Sequence, residues 1–256
     1  MGEQCFIPFT GRIDYELIPS ELNNPFVLIT PEICKIAAKQ LQDYLLNNQL
    51  KWKHNFGFSE HKNNLVKGKM FGVLVVQSKQ GELGFLATFS GKIQDDPHPK
   101  IFVSSVFDVS SDDFFINKGM TAITEIGVLI KALKEEGSKE SLIEAKRLKE
   151  VRRQNSVSLQ KQLFDNYKFQ NREGTVKNLC DIFTEYDGRN PAAGAGECAA
   201  PKLLQYAFEH EMKPLAIAEF WWGKSTKSED RKHKEFYPAC NDKCRPILSF
   251  MLGQRF

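Results

Sequence analysis

Apolar residues follow two rhythms along this chain, and each marks a different kind of element. Two nearly unbroken runs, Met70 to Gln77 (MFGVLVVQ) and Glu82 to Ser90 (ELGFLATFS), flank Ser78, Lys79, Gln80 and Gly81. Runs without polar alternation, joined by a short Gly-containing connection, predict a hairpin of long strands buried at the centre of a sheet. Pro214 to Trp222 (PLAIAEFWW) predicts a further strand, and Ile101 to Val103 a short one after the structure-breaking loop at 94–100 (QDDPHPK). Helical spacing appears at Ile33, Ile36, Ala37, Leu41 and Leu45, behind Thr30 as N-cap and Pro31 at the first helical position. It returns at 118–136 with Ile123, Ile126, Leu129, Ile130 and Leu133, and Gly137 interrupts it. Two more helices are expected at 198–209 and 242–252, after a loop-rich stretch at 171–196.

Residues 140–168 differ from all of these. They are strongly helix-prone, yet Leu142, Ala145, Leu148, Val151, Leu159 and Leu163 form only a thin apolar stripe. So polar a helix cannot be buried on many sides, which predicts a projecting helix or half of a helical hairpin. The expected organisation is an α/β body at 1–133 and 171–256 with a helical insertion at 134–170.

Composition narrows the class without naming a function. The chain has 256 residues, 41% hydrophobic and 26% charged, as expected of a globular protein. Its 35 basic and 32 acidic residues leave a net charge of +3, which excludes histone-like binding by bulk charge and leaves a local basic patch open. No run of about 18 apolar residues is present, so no membrane partner is expected. The N-terminus lacks a basic segment followed by an apolar one, and a cytoplasmic location is the expectation. In a reducing compartment the six cysteines should be free or metal-bound.

Three of those cysteines stand where helices begin. Cys198 follows Gly196 and Glu197 at one helix start; Cys240 and Cys244 open the last helix behind Tyr237-Pro238-Ala239. A helix start favours thiolate over thiol, and three thiolates converging across the Pro214–Trp222 strand suit tetrahedral Zn²⁺ with one position open. Burial of Cys198, Cys240 and Cys244 as ordinary core residues is the other reading. Glu197, Lys202, Glu219 and Trp222 are the expected lining of a pocket beside them. The adjacent Trp221 and Trp222 must point to opposite faces of their strand, as core residues or as a platform for stacking on bases.

Helix, strand, helix, with cysteines at both helix starts and a long hairpin before them, resembles the zinc-dependent nucleobase deaminases. The resemblance implies a three-layer α/β/α sandwich like the cytidine deaminase fold, carrying the long helical insertion. In a working deaminase a glutamate two residues after the first ligand moves the proton. Ala200 holds that position here, and C-x3-C replaces the commoner C-x2-C, so the resemblance implies a domain without deaminating activity. Glu197, one residue before Cys198, points elsewhere on the helix and does not replace the lost acid.

A second resemblance spans about 36–252. GKMFGVLVVQ, GELGFLATFSGKI, NLCDIF, GECAAPKLLQYAFEH, PLAIAEFWWG and FYPACNDKC look, in this order, like the N-terminal region of the large bacterial RluA-type RNA pseudouridine synthases. It implies an accessory domain that binds or positions structured RNA (rRNA or tRNA) for a C-terminal catalytic domain of the same protein. The family's catalytic aspartate lies in an Arg-Leu-Asp motif followed by a Thr/Ser-Gly pair. Gly11-Arg12-Ile13-Asp14 is a chance near match without that continuation, and the catalytic domain is expected to be absent from this chain. No residue here is assigned a catalytic role.

Charge on the 140–168 helix supplies the candidate RNA contact. Lys146, Arg147, Arg152 and Arg153 are the residues expected to meet phosphates, among a local excess of positive charge. A solvated helix laced with pairs to Glu144 and Glu150 is the alternative.

Overall fold

A computed structural model describes residues 5–52, 54–58, 68–91, 93, 100–107, 114–225 and 230–256. The expected loop at 94–100 lies, as far as residue 99, outside the described residues. The elements run β1 (Ile7–Pro8), α1 (Glu32–Asn47), β2 (Lys69–Gln77), β3 (Leu83–Phe89), α2 (Phe114–Glu136), α3 (Lys139–Asn166), β4 (Lys168–Gln170) and β5 (Val176–Asn178). They continue with α4 (Leu179–Asp187), α5 (Ala199–Glu209), β6 (Lys213–Trp222), β7 (Phe236–Tyr237) and α6 (Asn241–Leu252).

The main sheet has five strands in the order β1-β3-β2-β6-β7, each antiparallel to its neighbours. The unbroken apolar runs of β2, β3 and β6 follow from this position, because helices cover both faces. On one face α1 brings Ile33, Cys34, Ala37, Ala38, Leu41 and Leu45 onto Phe71, Val73, Val75, Phe85 and Phe220. On the other face α4, α5 and α6 bury Ile182, Leu203, Leu204, Ile247 and Met251 against Leu74, Val76, Leu86 and Ile217. The body is therefore mixed α/β in three layers.

Beyond the two residues paired with β7, the free edge of β6 meets a side chain. Asn23 donates from Nδ2 to the Ile217 carbonyl at 3.0 Å and accepts the Ile217 N–H at Oδ1 at 2.8 Å. The expected strand at 101–103 contracts to one parallel bridge between Phe102 and Ala87, fixed by Thr88 Oγ1 donating to the Val103 carbonyl at 2.6 Å.

Several expectations shift. Pro31, not Thr30, is the N-cap of α1, with no side-chain capping bond, and Ile36 of the predicted apolar face is 38% exposed. The expected loop at 171–196 contains β5, which pairs with β4 just before it, and α4, whose N-cap Asn178 accepts the Asp181 N–H. Helix α2, expected in the body as far as residue 133, packs along α3 as the other arm of a helical hairpin. Among its described residues α3 buries only Ser141, Ala145 and Phe164, in keeping with its thin apolar stripe.

Gly223 ends β6 where no other residue fits. Its φ is +108°, and a Cβ there would lie 2.2 Å from the Phe56 carbonyl and 2.8 Å from Gly68 Cα. Strain of this backbone region alone costs about 1–3 kcal/mol for a residue with a side chain. Gly223→Ala is expected to lower the urea midpoint by at least that equivalent. An unchanged midpoint would rule out this close packing of the β6 exit.

Candidate metal centre

The three predicted thiols do come together. Cys198 is the N-cap of α5 and Cys240 the N-cap of α6, while Cys244 lies one turn into α6. Their sulfurs all lie within 4.8 Å of one another. Cys240 Sγ is 3.4 Å from Cys244 Sγ and 4.0 Å from Cys198 Sγ. Tetrahedral Zn²⁺ with sulfurs about 2.3 Å away holds them about 3.8 Å apart, so both distances fit with little movement.

Local sequence explains the convergence. Gly72 on β2 faces the start of α5, and a Cβ on it would lie 2.8 Å from Ala199 Cβ. With Gly72, Ala199 and Ala200 all small, α5 sits close to the sheet and its first turn reaches the start of α6. Pro238 prepares the second helix start, and the Ala239 N–H donates to the Pro25 carbonyl at 2.8 Å.

The trio shares its protons unevenly. Hydrogen bonds from Cys198 and Cys244, helped by the Lys243 and Cys244 backbone N–H groups, hold the Cys240 thiol well below its ordinary range. Cys198 is pushed up, first by its hydrogen bond to Cys240, and Cys244 is pushed up by both neighbouring sulfurs. Metal binding to such a trio releases thiol protons, so its affinity should rise with pH.

A cleft of about 330 Å³ opens beside the sulfurs. Its wall includes all three cysteines, Glu219, Trp221 and Arg231. Glu219 is 7% exposed, and its Oε1 accepts the Ala200 N–H at 3.0 Å. Burial raises its carboxyl to about 7, against the pull of that N–H. Arg231 lies over both the Trp221 and Tyr237 rings, 5.6 and 5.0 Å from their centroids.

Of the four expected lining residues, Glu219 alone reaches this cleft. Trp222 is 2% exposed and packs on the α1 face with Phe220 and Phe71, so Trp221 takes the place expected of it. The alternation of the pair is as predicted, with Trp221 toward the cleft and Trp222 toward α1. Glu197 and Lys202 form a separate buried ion pair at 3.2 Å, behind the start of α5. Glu197 also accepts from Ser105 Oγ at 3.0 Å and from the Tyr167 hydroxyl. Burial would raise its carboxyl, but the Lys202 charge and these hydrogen bonds bring it below the usual carboxylate range. Lys202 Nζ further donates to the Phe89 and Gly91 carbonyls at 3.2 and 3.1 Å.

Sequence patterns carry no signal for Arg231 or Tyr167, which come from a connection and a helix end. Asp242 and Lys243 line the cleft from inside the C-x3-C spacing itself.

The basic residues of α3 lie apart from this centre. Arg147 pairs with Glu144 at 2.6 Å and Arg153 with Glu150 at 2.7 Å, all four side chains well exposed. Lys146 and Arg152 are exposed on the same helix. No helix among the described residues is long and apolar enough to cross a membrane.

Comparison with known proteins adds no identity: no family model, curated protein or solved structure matches this chain.

Proposed function

We propose that this chain is a zinc-binding accessory domain of deaminase-like architecture that serves an RNA pseudouridine synthase. The observation that carries the metal-binding part is the meeting of Cys198, Cys240 and Cys244 from two helix starts. Three sulfur donors at zinc-compatible spacing, lining a cleft, fit Zn²⁺ with a fourth position facing that cleft. Bound there, Zn²⁺ would supply a Lewis acid at the fourth position and tie α5 to α6.

The chain's own residues set what the cleft does. Ala200 puts a methyl group where a deaminase has its carboxyl, and its N–H instead holds the Glu219 carboxylate. The cleft thus keeps a buried acid and a cation, Arg231, beside the sulfurs. A cytidine deaminase-like topology is supported by the hairpin β2–β3, the helix-strand-helix order α5-β6-α6, and the thiols at both helix starts. A zinc-dependent nucleobase deaminase is the second reading, favoured by the same cleft. Ammonia release from a panel of nucleosides by zinc-loaded protein separates the two.

The RNA role rests on the ordered motifs resembling the RluA-type synthases and on exposed charge along α3. Its partners are structured RNA and the catalytic domain of the same protein, and its place is the cytoplasm. The pairs Arg147–Glu144 and Arg153–Glu150 are solvent-exposed, and pairs of that kind contribute little, so both guanidinium groups can turn to phosphate. Reversing Lys146, Arg147, Arg152 and Arg153 to Glu is expected to weaken binding of structured RNA at least about tenfold at low salt. The slope of log affinity against log salt should fall by about one for each phosphate no longer neutralised. Unchanged affinity at low salt would remove α3 from the RNA interface.

A further inference from the structure

Two of the three sulfurs come from one helix, so their spacing is set by α6 alone. The third, Cys198, depends on where α5 begins. The chain reaches it through 190–196, a loop whose Gly194 and Gly196 both take positive φ. Within that loop the Ala195 and Glu197 N–H groups make only short turns, to the Ala192 and Gly194 carbonyls. Such a segment does not fix a metal ligand unaided.

What fixes it is the residue just before the cysteine. Glu197 binds Tyr167 at the end of α3, Ser105 after the Phe102 bridge, and Lys202 one turn into α5. Its carbonyl accepts the Gly91 N–H at 2.8 Å. Lys202, only 2% exposed, closes the ring by donating to the carbonyls of Phe89, the last residue of β3, and Gly91 just past it. The sheet, the helical hairpin and α5 thus meet at the residue adjoining Cys198. A buried ion pair contributes little net stability compared with an apolar replacement, so folding alone is a weak reason to keep this one.

We propose that Glu197, Lys202 and Tyr167 are positioning residues for the metal centre: they fix the Cys198 sulfur opposite α6 before the ion arrives and so set the affinity for zinc. This rests on the metal-centre reading. The ordering cost of the 190–198 loop is met during folding and not during metal binding, which is how preorganisation raises affinity.

The test uses the full chain with zinc affinity measured by chelator competition, and Co²⁺ as a spectroscopic probe of thiolate ligation. Glu197→Gln combined with Lys202→Met removes both charges together, so no buried charge is left alone. That variant is expected to bind zinc about tenfold more weakly, as outer-shell changes do. Its Co²⁺ thiolate charge-transfer band should be weaker per bound ion than in the wild type, as a displaced third sulfur ligates less well. Tyr167→Phe keeps the ring and loses only the hydroxyl, and should shift affinity in the same direction by less. Val75→Ala, in the opposite layer, controls for destabilisation alone and should leave affinity and spectrum unchanged. Wild-type affinity and spectrum in the folded double variant would overturn the proposal. Should the double variant not fold, unchanged zinc affinity in Tyr167→Phe would overturn it equally. A wild-type chain that takes up neither ion overturns the metal-centre reading itself, a result distinct from wild-type binding with unimpaired variants.

Discussion

Purified protein is expected to carry about one zinc per chain, and Cys240→Ser to carry almost none. Cys240 Sγ lies 3.4 Å from Cys244 Sγ and 4.0 Å from Cys198 Sγ, so its loss removes the sulfur that adjoins both others. A serine hydroxyl does not ionise at neutral pH, and two remaining sulfurs do not hold a tetrahedral ion. Elemental analysis of both proteins reads this directly. A second reading comes from heat: zinc bound only to the folded state raises the melting temperature of the wild type as its concentration rises, and should not do so in the variant. If the sulfurs were plain core atoms, neither protein would hold metal and the near-isosteric change would barely move stability. Equal zinc content in the two proteins would also exclude the site.

Phe71→Ala is expected to destabilise the fold by about 3–5 kcal/mol, the usual range for a fully enclosed phenylalanine. Phe71 has no exposed surface and lies near the start of β2. Its ring stacks on Phe220 with centroids 5.9 Å apart and meets Phe56, Phe89 and Phe102 within 6.0 Å. The cavity left behind cannot collapse easily, because four of its walls are rigid rings on different segments. Chemical denaturation measures the loss, and near-UV circular dichroism should fall with it. A loss below about 1 kcal/mol would mean that the layer beneath α1 is loosely packed. Zinc content should be unaffected in the folded fraction, since the sulfurs lie across the sheet.

Elements buried on both sides were the most legible in the sequence. The runs of β2, β3 and β6 contain almost no polar residue, and their ends follow from Gly81, Lys213 and Gly223. The long polar helix was legible for the opposite reason, as a stretch with too few apolar residues to be enclosed. What escaped was short or shared. Helix α4 has nine residues, too few for a periodic signal amid turn-forming neighbours. Helix α2 has the apolar content of a body helix, and nothing local shows that it pairs with α3.

The site divides in the same way. Cysteines before helices marked the sulfurs, because spacing and helix starts are local features. The lining did not follow from local features. Glu197 and Lys202 are neighbours of a ligand in sequence, yet the turn of the helix start carries them behind it. The choice between Trp221 and Trp222 depends on which layer each strand face meets, and two buried faces leave no polar side to settle it.

Asn23 has a consequence beyond local order. The stretch of β6 that β7 does not cover offers a peptide N–H and carbonyl pointing outward, an arrangement that accepts any extended chain. The Asn23 amide fills that slot with one donor and one acceptor, imitating a peptide unit while presenting nothing on its own far side. A single side chain thus acts as the final rung of the ladder, and it guards the molecule against growing into a larger sheet with its own copies.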